Sequence, residues 1–167
     1  MATAAQIRYT AYHLRRSVVA DEPFLLELYA QSRSEELVHS GMDALQREVF
    51  VQMQFQIRQA AYSTTHPTAL DEIICSDSGT SLGRVLTDRT ANEMCLVDIA
   101  IAARMQRQGI ATQVIQELQQ ECLAHDWKMR LQVLKGSSAE RLYRRLGFRQ
   151  TGEDSLRRQM VWDGTKI

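Results

Sequence analysis

The chain has 167 residues, 44% of them hydrophobic and 24% charged, which fits one globular domain and excludes a disordered chain. Twenty basic and twenty acidic residues cancel, which argues against a general nucleic-acid binder. No apolar run reaches the roughly 20 residues that span a bilayer, and the opening MATAAQIRYTAYHLRRS lacks the apolar core of a signal peptide, so no membrane partner and a cytoplasmic location are expected.

Residues 1–10 read as a loosely ordered start, and 11–167 as a single domain. Tyr12 to Val18 reads as a first strand. Asp21 is placed to cap a helix whose first turn accepts Pro23 and whose apolar side is Phe24, Leu25, Leu28 and Tyr29. Ser32 to Asp43 is polar and reads as a loop or broken helix. Leu45, Val49, Met53 and Ile57 recur every four residues, and Ala60 and Ala61 continue the stripe. The stripe predicts an amphipathic helix of about five turns. It ends before His66-Pro67, because a residue preceding proline disfavours helical backbone.

The middle of the chain changes period. Leu70 to Cys75 and Leu82 to Thr87 read as a hairpin around the turn signal Asp77-Ser78-Gly79. Met94 to Ile101, MCLVDIAI, is apolar except for Asp98 and suits a central strand buried on both faces. A polar segment follows, then Gly109, then a helical stripe through Ile110, Val114, Ile115, Leu118, Cys122 and Leu123. Met129, Leu131 and Val133 alternate as in a strand. Ser137 to Glu140 matches a capping box for a short helix that Gly147 would end in the left-handed conformation. Phe148 to Thr151 and Arg157 to Trp162 read as two last strands. The order is strand, two helices, three strands, helix, strand, helix, two strands.

Cys75, Cys95 and Cys122 are widely spaced and odd in number, so free thiols in a reducing compartment are expected. His13, His39, His66 and His125 are isolated, and no residues stand at a metal-ligand spacing, so no metal is expected.

The chemistry concentrates between Met94 and Thr112. A buried strand there runs into a helix that opens at Gly109. The amides heading a helix lack intrahelical partners and carry partial positive charge, which suits a phosphate. Arg104 and Arg107 add charge nearby, and glycine permits close approach of the backbone. A bare turn is the competing reading. GxxxxGK[ST] and GxGxxG are both missing, which excludes a P-loop and a dinucleotide fingerprint.

The string Gln106-Arg107-Gln108-Gly109-Ile110-Ala111 resembles the Q/RxxGxG/A signature of GNAT acetyltransferases. Ile101 stands five residues before Gln106, where that family has the last apolar residue of its fourth strand. Ala139 to Phe148, AERLYRRLGF, is similar to the family's A-x-x-L-Y-x-x-L-G-F element. A helix and a strand separate the two motifs, as the family requires. The resemblance implies an α+β fold: a mixed, mostly antiparallel sheet of six to seven strands flanked by about four helices. The first 65 residues resemble the family only in layout.

The resemblance also implies an N-acetyltransferase that uses acetyl-CoA as acyl donor and an amine as acceptor. Backbone amides of Gln106, Arg107, Gln108, Gly109, Ile110 and Ala111, with Thr112, would hold the pyrophosphate. The pantetheine arm would pair with the backbone of Ile99, Ala100 and Ile101, in a slot where a bulged fourth strand splays from the fifth. Tyr143 stands where the family has the tyrosine that protonates the leaving thiolate; its other reading is a core aromatic. Where many members carry an asparagine, this chain has Lys135-Gly136-Ser137-Ser138. Ser137 or Ser138 could give the coenzyme a hydroxyl, or Ser137 could be only a helix cap.

For the general base, Asp98 is either a proton acceptor or a carboxylate paired with arginine or backbone. Glu93 is a weaker candidate, and Cys95 stands where some histone-acetylating relatives have glutamate. The acceptor site is expected at the loop holding Glu35, Glu36, His39 and Asp43, whose carboxylates would attract a cation. The other reading is a solvated loop. Arg141, Arg144, Arg145, Arg149, Arg157 and Arg158 either meet the coenzyme's 3′-phosphate or balance the acidic N-terminal half. A homodimer is common in the superfamily. The alternative function is a non-catalytic acyl-CoA-binding sensor or interaction module.

Overall fold

The computed structural model describes residues 11–164, so the expectation for residues 1–10 falls outside the described residues. Strand β1 (Tyr12–Arg16) leads through a short turn into helix α1 (Glu22–Ser32), followed by α2 (Ser34–Val38) and the long α3 (Ala44–Thr65). Three strands come next: β2 (Leu70–Ser76), β3 (Ser81–Arg89) and β4 (Glu93–Ile101). Then follow α4 (Ile110–His125), β5 (Lys128–Leu134), α5 (Ser138–Arg145), β6 (Arg149–Glu153) and β7 (Arg157–Trp162). The seven strands form one sheet in the order β1-β2-β3-β4-β5-β7-β6. All its pairings are antiparallel except β4 with β5. No helix among the described residues is long and apolar enough to cross a membrane.

The sheet separates two apolar clusters, and β2 shows how. Strand side chains alternate between faces. Ile74 joins the cluster under α4, with Ile110, Val114, Ile115, Leu118 and Met129. Its neighbours Ile73 and Cys75 join the cluster under α1 and α3, with Leu25, Leu28, Val51 and Phe55. Cys75 and Cys122 are buried, Cys95 is half-buried, and all three are free thiols.

The Ser32–Asp43 segment, expected as a loop or broken helix, contains the short helix α2. Two expectations at helix starts need correction. Asp21 does not cap α1 with its side chain. Its carboxylate instead accepts from the Val18 amide at 2.9 Å and takes a bidentate pair from Arg15 at 2.8 and 2.7 Å. Glu140 reaches one residue further back than a capping box requires, accepting from the Gly136 amide at 2.6 Å. Ser137 does cap α5, its hydroxyl accepting from the Glu140 amide at 3.2 Å.

The largest correction concerns α3. Its four-residue stripe faces solvent: Leu45, Val49, Met53 and Ile57 are 70, 60, 51 and 57% exposed. The buried face is Val51 and Phe55, continued by the half-buried Arg58 and by Tyr62. Those residues follow the three-to-four spacing of a straight helix against a sheet, whereas a strict four-residue spacing drifts around the helix.

Helix α5 ends as its glycine predicts. Gly147 takes φ 86°, its amide donates to the Arg144 carbonyl at 3.1 Å, and the Phe148 amide donates to the Tyr143 carbonyl at 3.0 Å. That double bond is the Schellman arrangement, and it brings the Phe148 ring edge-on to Tyr143 at 5.6 Å.

Candidate active site

The strand pair β4–β5 opens like a V. The two strands pair from Glu93 with Lys128 to Leu96 with Leu131, and no further. Beyond that point β4 stays with β3 and β5 stays with β7. A register shift accompanies the parting: Leu86 faces Asp98 while Thr87 faces Leu96, so Val97 is the extra residue of a bulge. The expectation of a strand buried on both faces is not met: even in the paired half Glu93 and Cys95, on the face opposite Met94 and Leu96, are only half-buried. Met94 and Leu96 are buried, whereas Val97 to Ile101 are half-exposed, because β5 has moved away.

Backbone polar groups alternate along a strand. The Ala102 amide donates to the Leu82 carbonyl on β3 at 2.8 Å. By alternation Ala100 faces β3 too, and Ile99 and Ile101 turn their polar groups toward the opening. The Gln106 side chain donates to the Ile101 carbonyl at 3.0 Å, which ties the signature loop to the end of β4. Ala103's amide is held by Gln31 of α1 at 2.8 Å. Gly83 sits behind this stretch: a Cβ there would lie 2.3 Å from the Ala100 carbonyl oxygen.

The loop from β4 to α4 turns twice into left-handed backbone, at Arg107 (φ 61°) and Gly109 (φ 84°). For glycine this is free; for arginine it is an uncommon conformation that concentrates at ligand-holding loops. Among the described residues the amides of Arg107, Gln108, Gly109, Ile110, Ala111 and Thr112 donate no hydrogen bond. Unbonded amides at the head of a helix are suited to an anion.

Tyr143 lies in the cluster on the α4 side of the sheet, with its ring buried. Burial pushes its phenol well above the ordinary range, and the nearby Asp98 charge adds to the effect. Its hydroxyl makes no hydrogen bond among the described residues. Ser137 serves as the cap of α5, and Ser138 opens that helix.

Asp98 points to the other face, into a cavity of about 90 Å³ between α1, α3 and the β3–β4 pair. Its Oδ1 accepts from Arg58 Nη2 at 3.1 Å, and its Oδ2 lies 3.9 Å from Arg84 Nη1. The side chain is 18% exposed. Arg84 is itself clamped by Asp71, through Nε at 2.8 Å and Nη2 at 2.9 Å, and its Nη1 reaches Gln59 at 3.0 Å. Arg58 lies over the Tyr29 ring at 5.5 Å and the Tyr62 ring at 5.2 Å, and its Nε donates to the Tyr62 hydroxyl at 2.6 Å. Of the two readings of Asp98, the structure realises the paired carboxylate.

The acidic loop does not line this cavity. Glu36 pairs with Arg33 at 2.9 Å, Asp43 caps α3, and His39 Nδ1 lies 2.8 Å from the Glu35 carbonyl oxygen. Glu93 pairs with Arg130 at 2.8 Å. Cys95 sits on the paired half of β4, its thiol pushed up by burial. Of the C-terminal arginines, three pair with acids of their own region rather than of the N-terminal half: Arg144 and Arg158 share Glu140, Arg158 also takes Glu153, and Arg149 pairs with Asp163.

Sequence reasoning missed Arg58, Arg84, Tyr29, Tyr62 and Gly83. One signal was present for Arg58. It continues Val51 and Phe55 at helical spacing, so that stripe carries a charged residue onto the buried face.

The family model described as an acetyltransferase (GNAT) domain matches residues 30–162. No curated protein matches the sequence significantly. Among solved structures, the PaiA N-acetyltransferase of Thermoplasma acidophilum in complex with coenzyme A is similar at TM-score 0.66 and 16% identity, covering 92% of this chain and 99% of that one. An acetyltransferase from Thermus thermophilus is similar at TM-score 0.64 and 16% identity, covering 91% and 96%. The spermidine N-acetyltransferase of Vibrio cholerae in complex with CoA and spermine is similar at TM-score 0.60 and 18% identity, covering 90% and 94%. These likenesses establish a shared fold. The family match runs from the end of α1 to β7 and includes both motifs, and this chain therefore belongs to the GNAT acetyltransferase family.

Proposed function

We propose that the chain transfers the acetyl group of acetyl-CoA to an amine by direct attack. The observation that carries this reading is the opening between β4 and β5, which leads from the free amides at the head of α4 to the neighbourhood of Tyr143 and Asp98. The amides of Arg107 to Thr112 suit a pyrophosphate, because they concentrate donors without any side chain to desolvate. Ile99 and Ile101 offer strand-type donors and acceptors to an amide-bearing arm. Family members whose names include coenzyme A complexes share the fold, which supports the donor.

In the reaction the amine nitrogen attacks the thioester carbonyl carbon, and the carbon–sulfur bond breaks. The departing thiolate takes a proton from Tyr143, whose raised phenol stays protonated through the neutral range. The surplus proton of the new amide is carried by water back to the Tyr143 oxygen, which restores the phenol. Asp98 Oδ2, which makes no hydrogen bond among the described residues, keeps a lone pair for the amine N–H. The β4 amides facing the opening are oriented to stabilise charge on the carbonyl oxygen. Positioning of the two substrates supplies much of the acceleration.

Calorimetric titration with acetyl-CoA tests the reading, with an expected Kd on the order of 10 μM. Absence of heat at millimolar acetyl-CoA overturns it. A second reading, acyl-CoA binding without transfer, is favoured by one observation: the charge of Asp98 is already balanced by two guanidiniums, and no other carboxylate lines the cavity. Binding of acetyl-CoA beside flat thiol release over a panel of polyamines, amino acids, aminoglycosides and peptides would select that second reading.

A further inference from the structure

We infer that the acceptor amine also carries a carboxylate, and that Arg58 is the residue that reads it. The inference rests on the proposed transfer, because it names what occupies the acceptor side of the same opening.

Arg58 has hydrogen-bonding capacity that the fold leaves unused. A guanidinium has five N–H donors. Arg58 uses two of them, Nε on Tyr62 and one on Nη2 for Asp98, so three remain. Its side chain is 37% exposed and lines the cavity. Two aromatic rings, Tyr29 and Tyr62, lie within cation–π distance and fix the plane of the fork. A fork held this way has already lost the rotamer freedom that carboxylate recognition costs a free arginine. A second unused donor lies against the same Tyr29 ring: Arg33 Nε is buried without a hydrogen-bond partner, with its guanidinium 5.9 Å from the ring centre.

The acceptors around the cavity are nearly exhausted by comparison. Both oxygens of Asp71 are taken by Arg84, and one oxygen of Asp98 by Arg58. What is left is one carboxylate lone-pair site, Asp98 Oδ2, beside a set of guanidinium N–H groups. That pattern complements an aminocarboxylate, its nitrogen at Asp98 and its carboxylate at Arg58. A polyamine would meet two guanidiniums and one carboxylate that is already balanced. The volume of about 90 Å³ suits a few heavy atoms, and a carboxylate can accept the N–H groups that Arg58 leaves free.

The test uses the full chain and two readouts. In the first, thiol release is measured for the proteinogenic L-amino acids, each beside the amine that lacks only its carboxylate, with aminoalkyl phosphonates, sulfonates and spermidine in parallel. The carboxylate-bearing partner is expected to show kcat/KM higher by about 10²-fold or more. Arg58→Met should bring the paired ratio to near unity while calorimetric affinity for acetyl-CoA is kept, and Arg58→Lys should recover part of the ratio. In the second readout, binding of the N-acetylated amino acids is compared with that of the N-acetylated amines by calorimetry in the presence of coenzyme A. Arg58-dependent binding of the carboxylate-bearing ligand without turnover would uphold this inference and sink the transfer reading. Equal or better turnover of spermidine or of the carboxylate-free amines overturns the inference and leaves transfer intact. A preference for phosphonate or sulfonate over carboxylate, or failure of both ligand series to distinguish wild type from Arg58→Met, overturns it as well.

Discussion

Two regions meet at β4, and they are made of different material. The junction with α4 is built from backbone: free amides from Arg107 to Thr112, left-handed turns at Arg107 and Gly109, and strand groups of Ile99 and Ile101 turned to an open side. The cavity on the opposite face is built from side chains that are distant in sequence. Arg58 meets Asp98 across 40 residues, and Arg84 meets Gln59 across 25. A backbone site needs glycine and a helix start at set spacings, so it leaves a local pattern. A side-chain site needs only that two elements pack, so it leaves at most a charged residue on a buried face, with no fixed spacing to its partner. The first region can therefore stay constant while the second is free to change its ligand.

Phe55→Ala offers the largest test of this division. Its ring is 3% exposed under α1 and supports α3 where Arg58 projects. Stability is expected to fall by about 4 kcal/mol, read from the urea midpoint. A loss under about 1 kcal/mol would mean that α3 is not seated as described.

Gly83→Ala strikes the boundary between the regions. The added Cβ would press on the Ala100 carbonyl, so β4 must shift at the point where it parts from β5; a cost of about 3 kcal/mol is expected, with weaker acetyl-CoA binding. Retained stability and affinity would show that the opening tolerates movement of β4.

Tyr143→Phe separates chemistry from binding. Turnover is expected to fall about 10²-fold, with calorimetric affinity for acetyl-CoA unchanged. Because burial raises the Tyr143 phenol, its loss of a proton should not limit the rate up to about pH 9, above which the wild-type profile should stay flat where an ordinary phenol would begin to titrate. Unchanged turnover in the variant would remove Tyr143 from the mechanism.

A smaller effect concerns acid stability. The Arg15 hydrogen bonds, joined by the Val18 amide, hold the Asp21 carboxyl below its usual range. A depressed carboxylate stabilises the fold above its unfolded pKa and loses that contribution as pH falls through the folded value. Thermal scans of Asp21→Asn should therefore show a flatter decline in Tm than wild type below about pH 4. Parallel declines would show that the pair adds nothing.

The smallest expected effect is on the outer face of α3. Val49→Gln and Met53→Gln should change stability by no more than about 0.5 kcal/mol, since both side chains already stand in solvent. A fall in stability that grows on dilution would instead identify this stripe as the contact of a homodimer.

The legible parts share a feature. Gly147 takes the positive φ that its position promised, Gly109 heads α4 as read, and Met129, Leu131 and Val133 alternate into the core as written. Where expectation and structure part, several faces of one element were competing. On α3 the stripe Leu45, Val49, Met53 and Ile57 is more regular than the buried one, yet only the buried one follows the sheet. Asp98 was visible as an odd charge in an apolar strand, but its partner Arg58 was hidden among the glutamines of a distant helix.

By itself the sequence determined the periods, the turns and the helix starts, because those follow from sterics and hydrogen bonding among neighbouring residues. It thereby determined the family and the backbone-built junction. The tertiary structure decided which face of α3 is buried, where β4 leaves β5, and which charges meet in the cavity. Those depend on the packing of elements 25 to 40 residues apart, where many pairings satisfy the local rules and only the assembled sheet selects one.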